Sequence, residues 1–137
     1  MQDRPTLKEL LEAVRGFIDG EVVPSIKDQR LRFRARVAAN VLAVAARERE
    51  LGDAHLRAEA DRLRRLLGDA SAPPPAAQDA LEAPLLESSV ERWNAELARR
   101  IRSGEIDAAP GGEVWAHLRR TAVEKLLVAN PELLARS

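Results

Sequence analysis

The stretch FRARVAANVLAVAAREREL, residues 33–51, decides the fold class. Between Arg36 and Ala46 only Arg36 and Asn40 are polar, and neither glycine nor proline interrupts the run. Alanine and leucine head the ranking of helix formers. A helix that is apolar on nearly every side is normally one that its neighbours surround. The stretch is therefore expected as the central helix, at about 30–51, of an all-α domain.

Toward the N-terminus, Thr6 and Glu9 have the spacing of a capping box, in which each side chain satisfies a free backbone N–H. Leu7, Leu10, Leu11, Val14, Phe17 and Ile18 follow at steps of three and four, so a first helix is expected from Thr6 to about Val23 with one apolar face. Pro24 is expected to end it.

Toward the C-terminus, Gly52 stands where a helix cap is expected and Asp53 can open another helix. A third helix over 54–67 would carry Leu56, Ala60, Leu63, Leu66 and Leu67, closed by Gly68, and the short Gly-Asp step predicts a helical hairpin. Residues 69–84, DASAPPPAAQDALEAP, read as a linker, because three consecutive prolines forbid a helix. A fourth helix, from about Leu85 or Ser89 to Arg102, places Leu86, Val90, Trp93, Leu97 and Ile101 on one stripe, and Gly104 stops it. The fifth, about 113–129, is expected to turn Trp115, Leu118, Ala122 and Leu126 to the core before Asn130-Pro131 ends it. No period-two pattern indicates a strand. The expectation is one domain over 1–137, a five-helix bundle of three helices, a Pro-rich linker and two helices.

Composition narrows the function. Hydrophobic residues make up 45 % and charged residues 32 %, a globular balance. Aromatics are only 3 %, so leucine, valine, isoleucine and alanine must build the core. The 22 basic and 22 acidic residues cancel, whereas nucleic-acid binders carry a basic excess. Arg30, Arg32, Arg34 and Arg36 do not restore that reading, because steps of two around a helix scatter them over different sides. With no cysteine, disulfides and thiolate chemistry are excluded. The N-terminus lacks the apolar run of a signal peptide and no segment has the length of a membrane span, so a cytoplasmic location is expected.

No catalytic constellation emerges. The glycines form no phosphate-cradling loop, and the serines and threonines sit in no nucleophile context. His55/Glu59 and Glu113/His117 are each four residues apart on a helix face, but the chain lacks the Glu-x-x-His motif of helical di-metal sites. These pairs are expected on solvent faces, with neither metal nor cofactor. The remaining oddity is polar: Arg36, Asn40, Ala43 and Arg47 fall on one side of the central helix. Ala35, Ala39, Leu42 and Ala46 lie opposite, where a neighbour can approach closely. Arg36, Asn40 and Arg47 are the candidate ligand-binding residues, a notch suited to an anion or a partner's carboxylate through the guanidinium fork.

The blocks RVAANVLAVAARERELG (36–52), LARRIRSGE (97–105) and VEKLLVANP (123–131) together resemble an uncharacterised bacterial family of short helical proteins, a domain of unknown function. The resemblance covers most of the chain, with the Pro-rich segment the least similar part. Members of that family often accompany aminoglycoside-phosphotransferase-like and acyl-CoA dehydrogenase proteins, which implies an accessory role beside a phosphotransferase-like partner and transfers no catalytic residue. The expected function is a non-catalytic helical module that binds a protein partner or a second copy of itself. The alternative is a small-molecule or anion-binding protein, or an enzyme, using the Arg36/Asn40/Arg47 notch.

Overall fold

The first helix opens as its cap requires. The Thr6 hydroxyl accepts the Glu9 N–H at 3.3 Å, and the Glu9 carboxylate accepts the Thr6 N–H at 2.7 Å. In the computed structural model, which describes residues 4–68 and 83–136, this helix is α1 (Leu7–Phe17). Pro24 has no N–H and its ring crowds the carbonyl four residues back. The chain meets it by widening: Ile18–Val22 forms one π turn, and α2 (Val23–Ser25) carries the proline in its first turn. Ile26 then turns extended and ends the helical run.

The chain continues into α3 (Gln29–Leu67), whose start is capped by the Asp28 carboxylate on the Leu31 N–H at 2.6 Å. The hairpin expected at Gly52-Asp53 does not form, and α3 runs through both residues for 39 residues. The physical reason is one of scale. A single glycine inside a helix costs about 1 kcal/mol relative to alanine, whereas continuing keeps Ala60, Leu63 and Leu67 in the core. Gly68 does end the helix, at φ 58°, the left-handed conformation that glycine adopts without strain. Residues 69–82 of the expected linker lie outside the described residues.

The next helix, α4 (Ala83–Ser103), already includes Ala83 and Pro84 and stops at Gly104. It is followed by α5 (Glu113–Ala129) and a short 3-10 segment, Pro131–Arg136. The protein is all-α, five helices without a strand among the described residues.

The core lies at the C-terminal end of α3. Ala60, Leu63 and Leu67 meet Leu86, Val90, Trp93 and Leu97 of α4 and Val114 of α5, the α4 stripe that the sequence indicates. Each fully buried leucine among them contributes about 1.5–3 kcal/mol. Arg100 locks the end of this three-helix unit by donating to the Leu67 carbonyl at 2.8 Å. The face expected of α5 is corrected. Trp115, Leu118 and Ala122 are exposed, and the buried residues are Val114, His117, Glu124 and Val128.

The N-terminal half of α3 has a different environment. The chain reverses after α2, so α1 runs antiparallel to it, and Lys8 reaches Glu50 at 2.8 Å. Ala39, Ala43 and Ala46 are buried in this hairpin, the close approach that small residues permit. Ala43 thus belongs to the packed side, although projection places it beside Asn40. Beyond this contact the hairpin is open. No residue of α1 is buried, and Phe33, Val37 and Val41 are exposed, so neighbours do not surround the central stretch as its composition suggests.

Candidate functional site

Two arrangements of side chains stand out, one at the α3–α5 contact and one on the hairpin.

At a helical rise, positions 55, 59 and 62 of α3 fall on one face, as do 117, 121 and 124 of α5. The two faces meet, and they are polar. The Arg62 guanidinium donates to both Glu124 carboxylate oxygens, at 2.6 and 3.2 Å, to the Thr121 hydroxyl at 3.2 Å, and through Nε to His117 Nδ1 at 3.4 Å. Arg120 Nε also donates to Glu124, at 2.9 Å. Glu59 accepts from Asn94 of α4 at 2.8 Å. His117 and Glu124 keep only 3 % and 4 % of their surface exposed.

Burial acts against charge on both, with opposite outcomes. Burial is the main reason His117 is held below the usual histidine value, and the adjacent Arg62 cation pushes the same way. On Glu124 burial alone would raise the carboxyl, but the hydrogen bonds from Arg62 and Arg120, with the Arg62 charge, outweigh it and hold the group below the usual carboxylate range. Arg62 thus occupies the Nδ1 lone pair of a neutral His117 and pairs with an ionised Glu124. That is a network of hydrogen bonds and an ion pair joining α3 to α5. Breaking such a buried pair costs about 3–5 kcal/mol, although forming it contributes little net stability.

Two cavities flank the network. One, of about 350 Å³, is lined by His55, Glu59, Thr121 and Glu124 among others. The other, of about 480 Å³, lies against Arg62, Arg65, Leu66, Glu113, His117 and Arg120. The solvent-face expectation for His55/Glu59 and Glu113/His117 is corrected at three of the four positions: Glu59 and His117 are buried, His55 is half-buried, and only Glu113 is exposed. Among the described residues no three histidines or carboxylates are grouped to hold a metal ion.

The residues singled out on the central helix are placed differently. Arg47 donates to the Val128 carbonyl at 2.6 Å, tying the end of α5 to α3. It also lines a cleft of about 280 Å³ with Lys8, Glu12, Arg15 and Glu50. Arg36 and Asn40 are exposed and do not line that cleft. The three share the charged side of the hairpin, and of them Arg47 lines the cleft described here.

The other side of the hairpin is apolar. Projection of the two antiparallel helices puts Leu7, Leu10, Val14 and Phe17 on the same side as Leu31, Ala38 and Ala45. Leu7 and Ala45 accordingly line one cleft, together with Leu56 and Glu87. The four α1 side chains and Leu31 are between 48 and 54 % exposed. That leaves roughly 500 Å² of apolar side-chain surface on one side, at the upper end of what soluble monomers expose.

The class defined here is a three-helix core with a charged seam, extended by an open two-helix arm. Residues 24–133 match a family described as Domain of unknown function (DUF6285), and the chain belongs to it. The match takes in the core, the seam and the arm's second helix, while α1 precedes it. No curated protein and no solved structure matches the chain. No helix among the described residues is long and apolar enough to cross a membrane.

Proposed function

We propose that the protein is a non-catalytic helical accessory module of the bacterial cytoplasm, which binds a protein partner through the apolar side of its α1–α3 hairpin. The observation that carries this reading is the exposed stripe Leu7, Leu10, Val14 and Phe17, an amphipathic helix whose apolar side has nothing packed over it among the described residues. Soluble domains seldom leave such a patch uncovered. The resemblance to proteins that accompany phosphotransferase-like chains implies a partner of that class, and a second copy of this chain is the other occupant.

The test is co-purification with the neighbouring phosphotransferase-like protein, with mass measured by light scattering. Three forms are compared: wild type, Leu10→Glu/Val14→Glu on the apolar side, and Phe33→Glu on the far side of α3. The expected result is a complex or dimer lost in the first variant and kept in the second. A wild-type monomer that retains no protein overturns the reading, as does equal loss in both variants.

A further inference from the structure

At the α3–α5 seam, the 480 Å³ cavity poses a separate question. Its lining carries three arginines, Arg62, Arg65 and Arg120, against one carboxylate, Glu113. The positive charge of Arg62 is matched by Glu124. Arg120 gives only its Nε to that carboxylate in the contacts described above, so its two terminal nitrogens are not used there. Arg65 has no hydrogen-bond or ion-pair partner among the described residues.

His117 lines the same cavity, and its Nε2 is buried with no hydrogen-bond partner among the described residues. Nδ1 accepts from Arg62, so a neutral ring carries its hydrogen on Nε2. A buried N–H donor without an acceptor costs about 1–3 kcal/mol. Such a group in a native protein calls for an occupant that the chain itself does not supply. The missing partner must accept a hydrogen bond, and the surrounding guanidinium groups favour a negative one. The room is many times that of a single water, about 30 Å³.

We infer that this cavity is a binding site for a small oxyanion, a phosphate or carboxylate group, which accepts the His117 Nε2–H and pairs with Arg65 and the free end of Arg120. The guanidinium fork suits both kinds of anion. The site lies at the α3–α5 seam and is independent of partner binding by the hairpin.

The chain contains two histidines, so their imidazole nitrogens can be followed separately by NMR, with His55 as internal control. The ¹⁵N-labelled protein is titrated at pH 7.5 with inorganic phosphate, with acetate, and with sodium chloride at matched ionic strength. The expected result is a saturable shift of His117 Nε2 with a Kd of about 1 mM, in the phosphate or the acetate arm, absent with chloride. The stronger arm identifies the anion class. Arg65→Gln, at an exposed side chain outside the network, is expected to weaken binding at least about five-fold while leaving the fold intact. A His117 signal that stays put with both anions, moves equally with chloride, or responds unchanged in Arg65→Gln would overturn the inference.

Discussion

Replacing Arg62 by methionine keeps most of the aliphatic stem and removes the guanidinium that joins α3 to α5. Glu124 then sits 4 % exposed with one of its two arginine partners gone. Complete loss of partners from a buried pair costs about 3–5 kcal/mol. Arg120 still holds one carboxylate oxygen at 2.9 Å, so the expected cost is lower, about 2–3 kcal/mol. For a chain of this size that lowers the melting temperature by roughly 10 °C. The decisive measurement is a urea-unfolding cycle of wild type, Arg62→Met, Glu124→Leu and the double variant. Removing both charges leaves neither the buried carboxylate nor the guanidinium facing it uncompensated, so the double variant should be more stable than the sum of the single losses by at least about 1 kcal/mol. If the two losses add to within about 0.5 kcal/mol, the pair does not act as a unit and the seam does not have the role given to it.

Two further outcomes follow from the same geometry. His117 has a lower value folded than the 6.5 of a free histidine, so the unfolded chain takes up more protons as the pH drops through 6.5; Glu124, lowered from 4.5, acts likewise below that value. Stability measured by urea midpoint should therefore fall from about pH 6.5 downward and more steeply below about 4.5, and His117→Gln should flatten the upper part of that fall; identical profiles between pH 7 and 5 would show that the imidazole is not held neutral. At Gly52 an added Cβ would come within 2.6 Å of Glu48 Oε1, the far end of a flexible side chain that can swing aside. Gly52→Ala should therefore raise stability by about 0.5–1 kcal/mol in the same urea assay, as expected for a helix interior, whereas a loss would place the hairpin turn back at that residue.

Local chemistry was the part of the fold most legible in the sequence. The Thr6/Glu9 box, the stops at Gly68 and Gly104 and the terminator Asn130-Pro131 all depend on neighbours a few residues away. The α4 stripe was equally clear, because its apolar period has few polar interruptions. Gly52 misled for a physical reason: cap propensity is a term of about 1 kcal/mol, and packing along the whole of α3 is larger. Periodicity also shows that a side is apolar without showing what covers it. Hence the apolar face of α1 is open, the stretch around Phe33 and Val37, which reads as buried, is open too, and α5 is turned away from its expected face. The seam was legible only as isolated pairs. His117 and Glu124 pack inward because Arg62 meets them, and that arginine is 55 and 62 positions away in the chain.

The unbroken α3 has a consequence for how this protein moves through solution. At 39 residues it is about 58 Å long. A compact domain of this chain length has a radius of gyration of about 14 Å, hence a diameter under about 40 Å. One helix therefore overreaches the sphere that would hold the whole chain. Such a particle experiences more drag than its mass implies, so a monomer will elute early from a sizing column and imitate a dimer. Retention volume is the wrong ruler here; scattering mass distinguishes a long single chain from a true pair.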